Sequence, residues 1–432
     1  MLRLSFKNCS DLRFLLEYVQ NMKASELFPT TLKEPPKNAD SINHQLLVRA
    51  GFIDQLMAGS WTLLPLGWRV VNRINQVIRE EMNAIGGQEM LMPLMTPKSV
   101  WHETGRWDKA KEIMYQFSDG SGREYGLAFT HEEVLMDLLR KRVNTYADLP
   151  IYLYHFSTKF RNEARARSGI LRSREFMMKD LYSAHASEDD LMDYYQKVKE
   201  AYVRIFERLG FDCKVTEALG GVFTKNYTHE FQVPAPGGED VIFYCSQCDW
   251  GQNKEVFKGQ AGQPCPKCQK GKVIETRAIE VGNIFPLGTW FAEKMQGYFT
   301  DQNNQKKPIW FGSYGIGSTR VMGAWVEVSH DDKGIIWNKV MAPFDLHLVE
   351  LPGAKQAQEV YQKLSQAGLE VLWDERDINA GQKLVDADLI GLPVRLVVSE
   401  KTKDQVEWRL RTEEKTELIS VDEAIKRLTK KN

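Results

Sequence analysis

Four side chains in one short stretch have the types and spacing to hold a nucleoside triphosphate. Phe160-Arg161-Asn162-Glu163 is followed, after eight residues, by Arg172 and, after three more, by Phe176. Guanidinium groups bind phosphate oxygens through paired N–H donors. A carboxylate such as Glu163 can accept from an adenine amine, and a ring such as Phe176 can stack on the base. Far downstream, Gly315-Ile316-Gly317-Ser318-Thr319-Arg320 places a glycine turn before another arginine. Taken singly, the first motif reads as a surface ion-pair pattern and the second as a turn with a solvated arginine. Together and in this order they suit a bent ATP. The chain contains no GxxxxGK[ST] phosphate loop and neither HIGH nor KMSKS.

Four of the six cysteines form Cys245-x2-Cys248 and Cys265-x2-Cys268, with 16 residues between the pairs. Two such knuckles, set among Gly251, Gly259, Gly262, Pro264 and Pro266, make a tetrahedral thiolate site of the zinc-ribbon type. Disulfides are the rival, and a chain without a secretion signal disfavours them. Four sulfur ligands leave no position for a substrate, so the expected zinc is structural. Cys9 and Cys213 read as ordinary thiols.

Elements must position these groups. Apolar periodicity predicts helices over 41–58 and 66–85, a Gly86-Gly87 stop, and a strand from Glu89 to Met95 that carries Pro93. Alternation predicts antiparallel strands over 151–161 and 174–183 around the polar loop 162–173, then an amphipathic helix over 188–209. Residues 212–244 are again strand-like, and Val273 to Val281 lead to a Pro286-Leu287-Gly288 turn. A short helix near 290–296 and an apolar helix over 321–328 follow. From about residue 344 the texture alternates strand and helix: 346–351, 354–367, 369–373, 381–390 and 394–398. The expected fold class is α+β: a mostly antiparallel sheet followed by a small α/β domain.

The order and spacing of the arginine motifs resemble motifs 1, 2 and 3 of the class II aminoacyl-tRNA synthetases. Thr130-His131-Glu132-Glu133 joins Gly105-Arg106-Trp107, His229-Glu230-Phe231-Gln232-Val233 and Ser313-Tyr314-Gly315 in a pattern similar to the bacterial-type prolyl-tRNA synthetases, from about Leu27 onward. That resemblance implies proline–tRNA ligation on an antiparallel-sheet core, with ATP and Mg2+, and a homodimer through motif 1 around Pro93. Arg161 and Arg320 would be catalytic. Arg161, Glu163, Arg172, Phe176, Glu280 and Arg320 would bind ATP. Thr130, Glu132, Arg161, Tyr182, His229 and Ser313 would bind proline. Arg376 and Lys383 would meet the anticodon of tRNA(Pro).

The implied domains are an N-terminal extension over 1–26, a catalytic core over 27–342, a cysteine module inserted at 234–278, and an anticodon-binding domain over 343–432. Typical bacterial members carry a large editing domain where this chain has only Pro234 to Ala278. Those 45 residues cannot house it, so editing in cis is expected to be absent. Competing readings are a synthetase-like accessory subunit and a threonine or serine ligase. The retained arginines argue against the first. The lack of a zinc ligand set within the core argues against threonine.

Composition excludes little. The net charge is −1 over 432 residues, so an RNA partner needs local basic patches such as Lys401, Lys403 and Lys426 to Lys431. No apolar run is long enough to span a membrane. Residues 1–21 lack the Arg/Ser richness of a transit peptide and read as an extension or a misassigned start. The cytoplasm is the expected location.

Overall fold

The computed structural model describes residues 21–220 and 227–430. Cys9 and the expectations on residues 1–20 fall outside the described residues. One sheet organises the chain up to about residue 330. Its strands in chain order are β1 (Gln88–Glu89), β2 (Ile151–Phe160), β3 (Glu175–His185), β4 (Lys214–Leu219), β5 (Tyr227–Pro234), β6 (Asp240–Cys245), β7 (Gly251–Asn253), β8 (Val273–Gly288) and β9 (Trp310–Ile316). Their spatial order is β5-β4-β7-β6-β8-β9-β3-β2-β1, and β5 also pairs with β8. All pairings are antiparallel except β1–β2 and β4–β7. The pairing of β5 with β8 bends five strands (β4, β5, β8, β6 and β7) into a closed ring at one end of the sheet.

Helices Pro65–Ala84, Glu188–Arg208 and Ser318–Val328 cover the rear face. Val70, Ile74, Ile78, Tyr202, Ile205, Val321 and Met322 are buried there at helical spacing against Tyr154, Leu181 and Tyr314 of the sheet. Ser187 caps the second of these helices, accepting from the Asp190 amide at 3.2 Å.

The first expected helix is shorter than its apolar pattern. It spans Ile42–Arg49 and stops at Gly51, whose φ of 75° is left-handed. Ile53–Met57 and Ser60–Leu63 then form a hairpin turned at Gly59. The expected turn at 286–288 is instead a register shift inside β8, which runs on to Gly288. Glu89 to Met95 is not one strand: only Gln88–Glu89 and Met95–Pro97 pair, with Pro93 in irregular backbone between them.

The C-terminal sheet has six strands, not three. Gln405–Leu410 and Glu417–Ser420 extend it antiparallel beyond Val394–Val398. At its far edge Met22–Lys23 pairs parallel with Leu372–Trp373. Residues 21–25 therefore lie on this sheet: Asn21 Oδ1 accepts from the Val371 amide at 2.7 Å, and the Ser25 hydroxyl donates to Glu375. Arg69 of the core fastens the two parts, donating to the Pro343 carbonyl and to Glu370, each at 2.7 Å.

Candidate active site

The open face of β3, β8 and β9 forms the wall of a cavity of about 360 Å³. Phe176, Met178 and Asp180 line it from alternate positions of β3, and Ser313, Gly315 and Gly317 from β9 and the turn after it. Arg161 enters from the end of β2. Arg320 enters from the first turn of Ser318–Val328. A second cavity of about 290 Å³ shares Arg161, Arg320 and Glu280, and adds Glu163, Arg172 and Glu239.

At the shared boundary the arginines are poised differently. Arg161 lies over the Phe176 ring with its guanidinium carbon 5.2 Å from the centroid. Among the described residues it makes no ion pair, and its buried Nε has no partner. Burial and the neighbouring Arg320 hold its pKa below the usual arginine value. Arg320 donates to the Leu171 carbonyl at 2.9 Å and to Glu280 Oε2 at 3.4 Å. Burial raises the Glu280 carboxyl against the pull of Arg320. Arg172 and Glu163, expected to reach phosphate and adenine, instead bond each other at 2.9 Å, and Arg172 also bonds Glu239. These pairs are half-exposed, so they are exchangeable at small cost.

The other end of the cavity is built around one carboxylate. Glu132, in the first turn of Glu132–Leu139, is 1% exposed. It accepts from Thr130 Oγ1 at 2.7 Å, from Ser313 Oγ at 3.0 Å and from Arg106 at 3.1 Å. Both hydroxyls donate to it, which leaves the Thr130 and Ser313 oxygens free to accept from a ligand. Arg106 also pairs with Glu133 at 3.1 Å. Burial nevertheless pushes the Glu133 carboxyl up to about 7.

Two expected lining residues do not line the cavity. Tyr182 stands one step behind, its hydroxyl accepting from the His131 amide at 2.9 Å. His229 faces the other side of β5, where its Nδ1 meets the Tyr195 hydroxyl at 2.7 Å. Strand alternation puts the next residue, Glu230, in the cavity instead. Glu230 is pushed up to about 8 by burial and by Glu280. Asp180 and Asn283 were not singled out in the sequence, and Arg106 and Glu230 stood in motifs without a site role. Counting by twos from Phe176 reaches Asp180, and counting from His229 to its neighbour reaches Glu230.

The four cysteines converge. Their sulfurs lie within 4.8 Å of one another, with Cys245–Cys268 at 3.6 Å and Cys248–Cys265 at 3.7 Å. Thiolates about 2.3 Å from zinc in a regular tetrahedron stand about 3.8 Å apart, so the set fits that ion. The Gln247 amide donates to Cys245 Sγ and the Gly271 amide to Cys268 Sγ. A Cβ at Gly271 would lie 2.4 Å from the Cys245 sulfur, so the cradle admits only glycine. Cys245 ends β6 and β8 begins at Val273, so the knuckles crown the five-strand ring rather than form a separate body.

The expected anticodon cations are already engaged. Lys383 is 3% exposed, and its ammonium donates to the carbonyls of Glu350 at 2.6 Å and Asp374 at 3.1 Å. Arg376 is clamped by Asp374 at 2.7 Å and Asp386 at 2.8 Å. Two of the three Lys383 N–H groups are thus engaged and the side chain is buried, so as the structure stands it does not reach out to an RNA loop.

No helix among the described residues is long and apolar enough to cross a membrane. The tRNA synthetase class II core domain family (G, H, P, S and T) matches residues 115–329, and the anticodon binding domain family matches residues 347–431. A solved prolyl-tRNA synthetase of Giardia lamblia, in complex with prolyl-adenylate, superposes with a TM-score of 0.74 at 18% identity, covering 89% of this chain and 75% of that one. The enzyme of Cryptosporidium parvum, with L-proline and AMP, gives 0.73 at 16% identity, covering 89% and 73%. At that identity these show the fold. The proline–tRNA ligase of Agrobacterium fabrum is 36% identical over 439 residues, covering 94% of this chain and 99% of the relative. That of Persephonella marina is 33% identical over 556 aligned positions, covering 93% and 99%. The second alignment is longer than this whole chain, so that relative carries segments the present one lacks. With a core, an anticodon domain and near-complete coverage of both relatives, the chain belongs to the proline–tRNA ligase family.

Proposed function

We propose that the chain activates L-proline with ATP and transfers it to tRNA(Pro), using the two ends of one cavity. The observation that carries this is the carboxylate–hydroxyl pocket of Glu132, Thr130 and Ser313 facing Arg161. A secondary ammonium has two N–H donors: Glu132 takes one, and the Thr130 hydroxyl, its own proton fixed on Glu132, takes the other. The amino-acid carboxylate then points at Arg161, which also holds the α-phosphate. Carboxylate oxygen attacks the α-phosphorus in line, pyrophosphate leaves, and the prolyl-adenylate carbonyl is next attacked by the terminal ribose hydroxyl of tRNA, releasing AMP.

The protein's part is positioning and charge neutralisation. Phe176 stacks the adenine. Glu163 and Arg172 part to meet adenine and γ-phosphate, and Arg320 holds the γ-phosphate with them. Glu280 would hold magnesium, which would neutralise triphosphate charge. Zinc on the four cysteines would be structural. Tyr182 acts through His131, not by touching proline. Leu91 and Met95, 77% and 57% exposed beside Pro93, support the dimer face expected there. The cytoplasm is the proposed location.

One or two missing methylenes cost a ligand only about 1–3 kcal/mol each, so this pocket also admits alanine. The 45 residues from Pro234 to Ala278 are too few for an editing domain, so alanyl-tRNA made here would not be cleared in cis. Pyrophosphate–ATP exchange with proline, alanine, threonine and serine tests the reading. Strong exchange with proline, weaker with alanine and none with the others is expected. Exchange with no amino acid by folded protein would overturn it.

A further inference from the structure

Behind the amine pocket, His131, His155 and Asp180 bring their ligand atoms within 4.8 Å of one another, the spacing of a metal site. A cation already fills that point. Lys159, on β2, is fully buried. Its Nζ lies 2.6 Å from Asp180 Oδ2, 2.7 Å from Ser157 Oγ, 2.8 Å from His131 Nδ1 and 3.1 Å from His155 Nε2. An ammonium has three N–H groups and no acceptor; they are aimed at Ser157 Oγ, His131 Nδ1 and His155 Nε2, while Asp180 is held beside them as an ion pair.

The tautomer of His131 follows. Its Nδ1 must accept, so its proton sits on Nε2, which donates to the Pro93 carbonyl at 3.0 Å. Burial and Lys159 push the His131 pKa down to about 2, which keeps the ring neutral, as this geometry requires. His131 is thereby held at three points: its amide on Tyr182, Nδ1 on Lys159 and Nε2 on Pro93. Its chain neighbours on either side are Thr130 and Glu132. Asp180, the other main partner of Lys159, faces the cavity itself.

We propose that Lys159 is the positioning residue of the amine pocket, its single ammonium fixing the Thr130–Glu132 segment through His131 and the cavity wall through Asp180. Burying an ammonium is costly unless it is fully paired, and an apolar side chain would fill the same space. What the ammonium adds is directed bonds to His131 and to its own strand, and an ion pair to β3, so three segments of chain meet at one charge. Pro93 is the fourth segment tied in, so the backbone after the long first core helix is registered against the substrate amine.

The inference rests on proline activation at this site, so the wild-type protein is assayed in parallel. Its own exchange with proline tests that reading; only the variants test Lys159. Lys159→Met should raise the KM for proline in pyrophosphate–ATP exchange by roughly 10- to 100-fold, as small displacements of a substrate-positioning group do. The KM for ATP should stay within about twofold, because uniform loosening would move both. His131→Phe keeps the Lys159–Asp180 pair and removes both side-chain bonds of the histidine. It should shift proline in the same direction, and it decides the matter if Lys159→Met does not fold. A folded variant with unchanged proline KM, or with proline and ATP KM rising together, overturns the proposal.

Discussion

Arg161 and Arg320 of the core and Lys383 and Arg376 of the C-terminal domain are held in opposite ways. In the core, Arg161 makes no ion pair among the described residues and Arg320 is held mainly through a carbonyl, so charge faces open cavity. In the C-terminal domain, Lys383 is spent on two carbonyls and Arg376 on two buried carboxylates. The first arrangement stores electrostatic potential for a ligand that has yet to arrive. The second spends it on holding the loop after Val371–Asp374 against the helix Ala380–Ile390. Residue type alone does not separate the two; partners do.

Arg161→Ala should break the catalytic side most severely. Losing a preorganised donor to a developing charge costs roughly 10²–10³-fold, read as proline-dependent pyrophosphate exchange by a protein that still melts normally. Arg376→Ala should do the reverse. It leaves Asp374 and Asp386, 0% and 3% exposed at their side chains, without their guanidinium. Stability should fall by about 3 kcal/mol, seen by denaturant titration, with exchange preserved. A stable Arg376→Ala protein that loses only tRNA charging would show that this cation is free for RNA after all, and the contrast would fail.

Zinc removal sharpens the same contrast from a third place. The thiolates crown the ring that shares β8 with the cavity, so chelation should lower the melting temperature and the exchange rate together. Titration of zinc released, with a colorimetric chelator, should give one ion per chain. Loss of zinc without loss of exchange would confine the module to local capping.

The smallest effect is electrostatic. Glu230 is pushed up to about 8 from 4.5 by burial and by Glu280. A carboxyl raised in the folded state contributes stability that is complete below its unfolded pKa and is lost as pH rises through the folded value. Wild-type protein should therefore lose stability between about pH 4.5 and 8 relative to Glu230→Gln. The gap between the two proteins, followed as Tm against pH, should widen steadily across that range and stop widening above it.

Much of this was legible in the residues. The long amphipathic helices and the two strands around the polar loop are where period and alternation put them, because their apolar faces are wholly buried. The thiolate set was legible from spacing. What was hidden depended on pairing across distance. The helix over 41–58 fails after Arg49 because Gly51 is left-handed and the next residues find a hairpin partner. Of the last two strands of the C-terminal sheet, Glu417–Ser420 is an edge strand of four residues, too short to show a period, whereas Gln405–Leu410 does alternate and was legible past residue 398. At the site, Thr130, Glu132, Arg161 and Ser313 converge as expected, whereas His229 lies one strand step from the cavity. Lys383 shows the limit most plainly: nothing local in Gly381-Gln382-Lys383 tells whether its ammonium points at RNA or at its own backbone.

The closed ring of five strands carries one more consequence. A sheet interrupted by a short insert would ordinarily end in a row of unsatisfied N–H and C=O groups, a template onto which another chain can add a strand. Here β5 returns to pair with β8, and β7 bridges to β4, so that end presents almost no template. That end of the sheet is thus protected from edge-to-edge aggregation by its own topology.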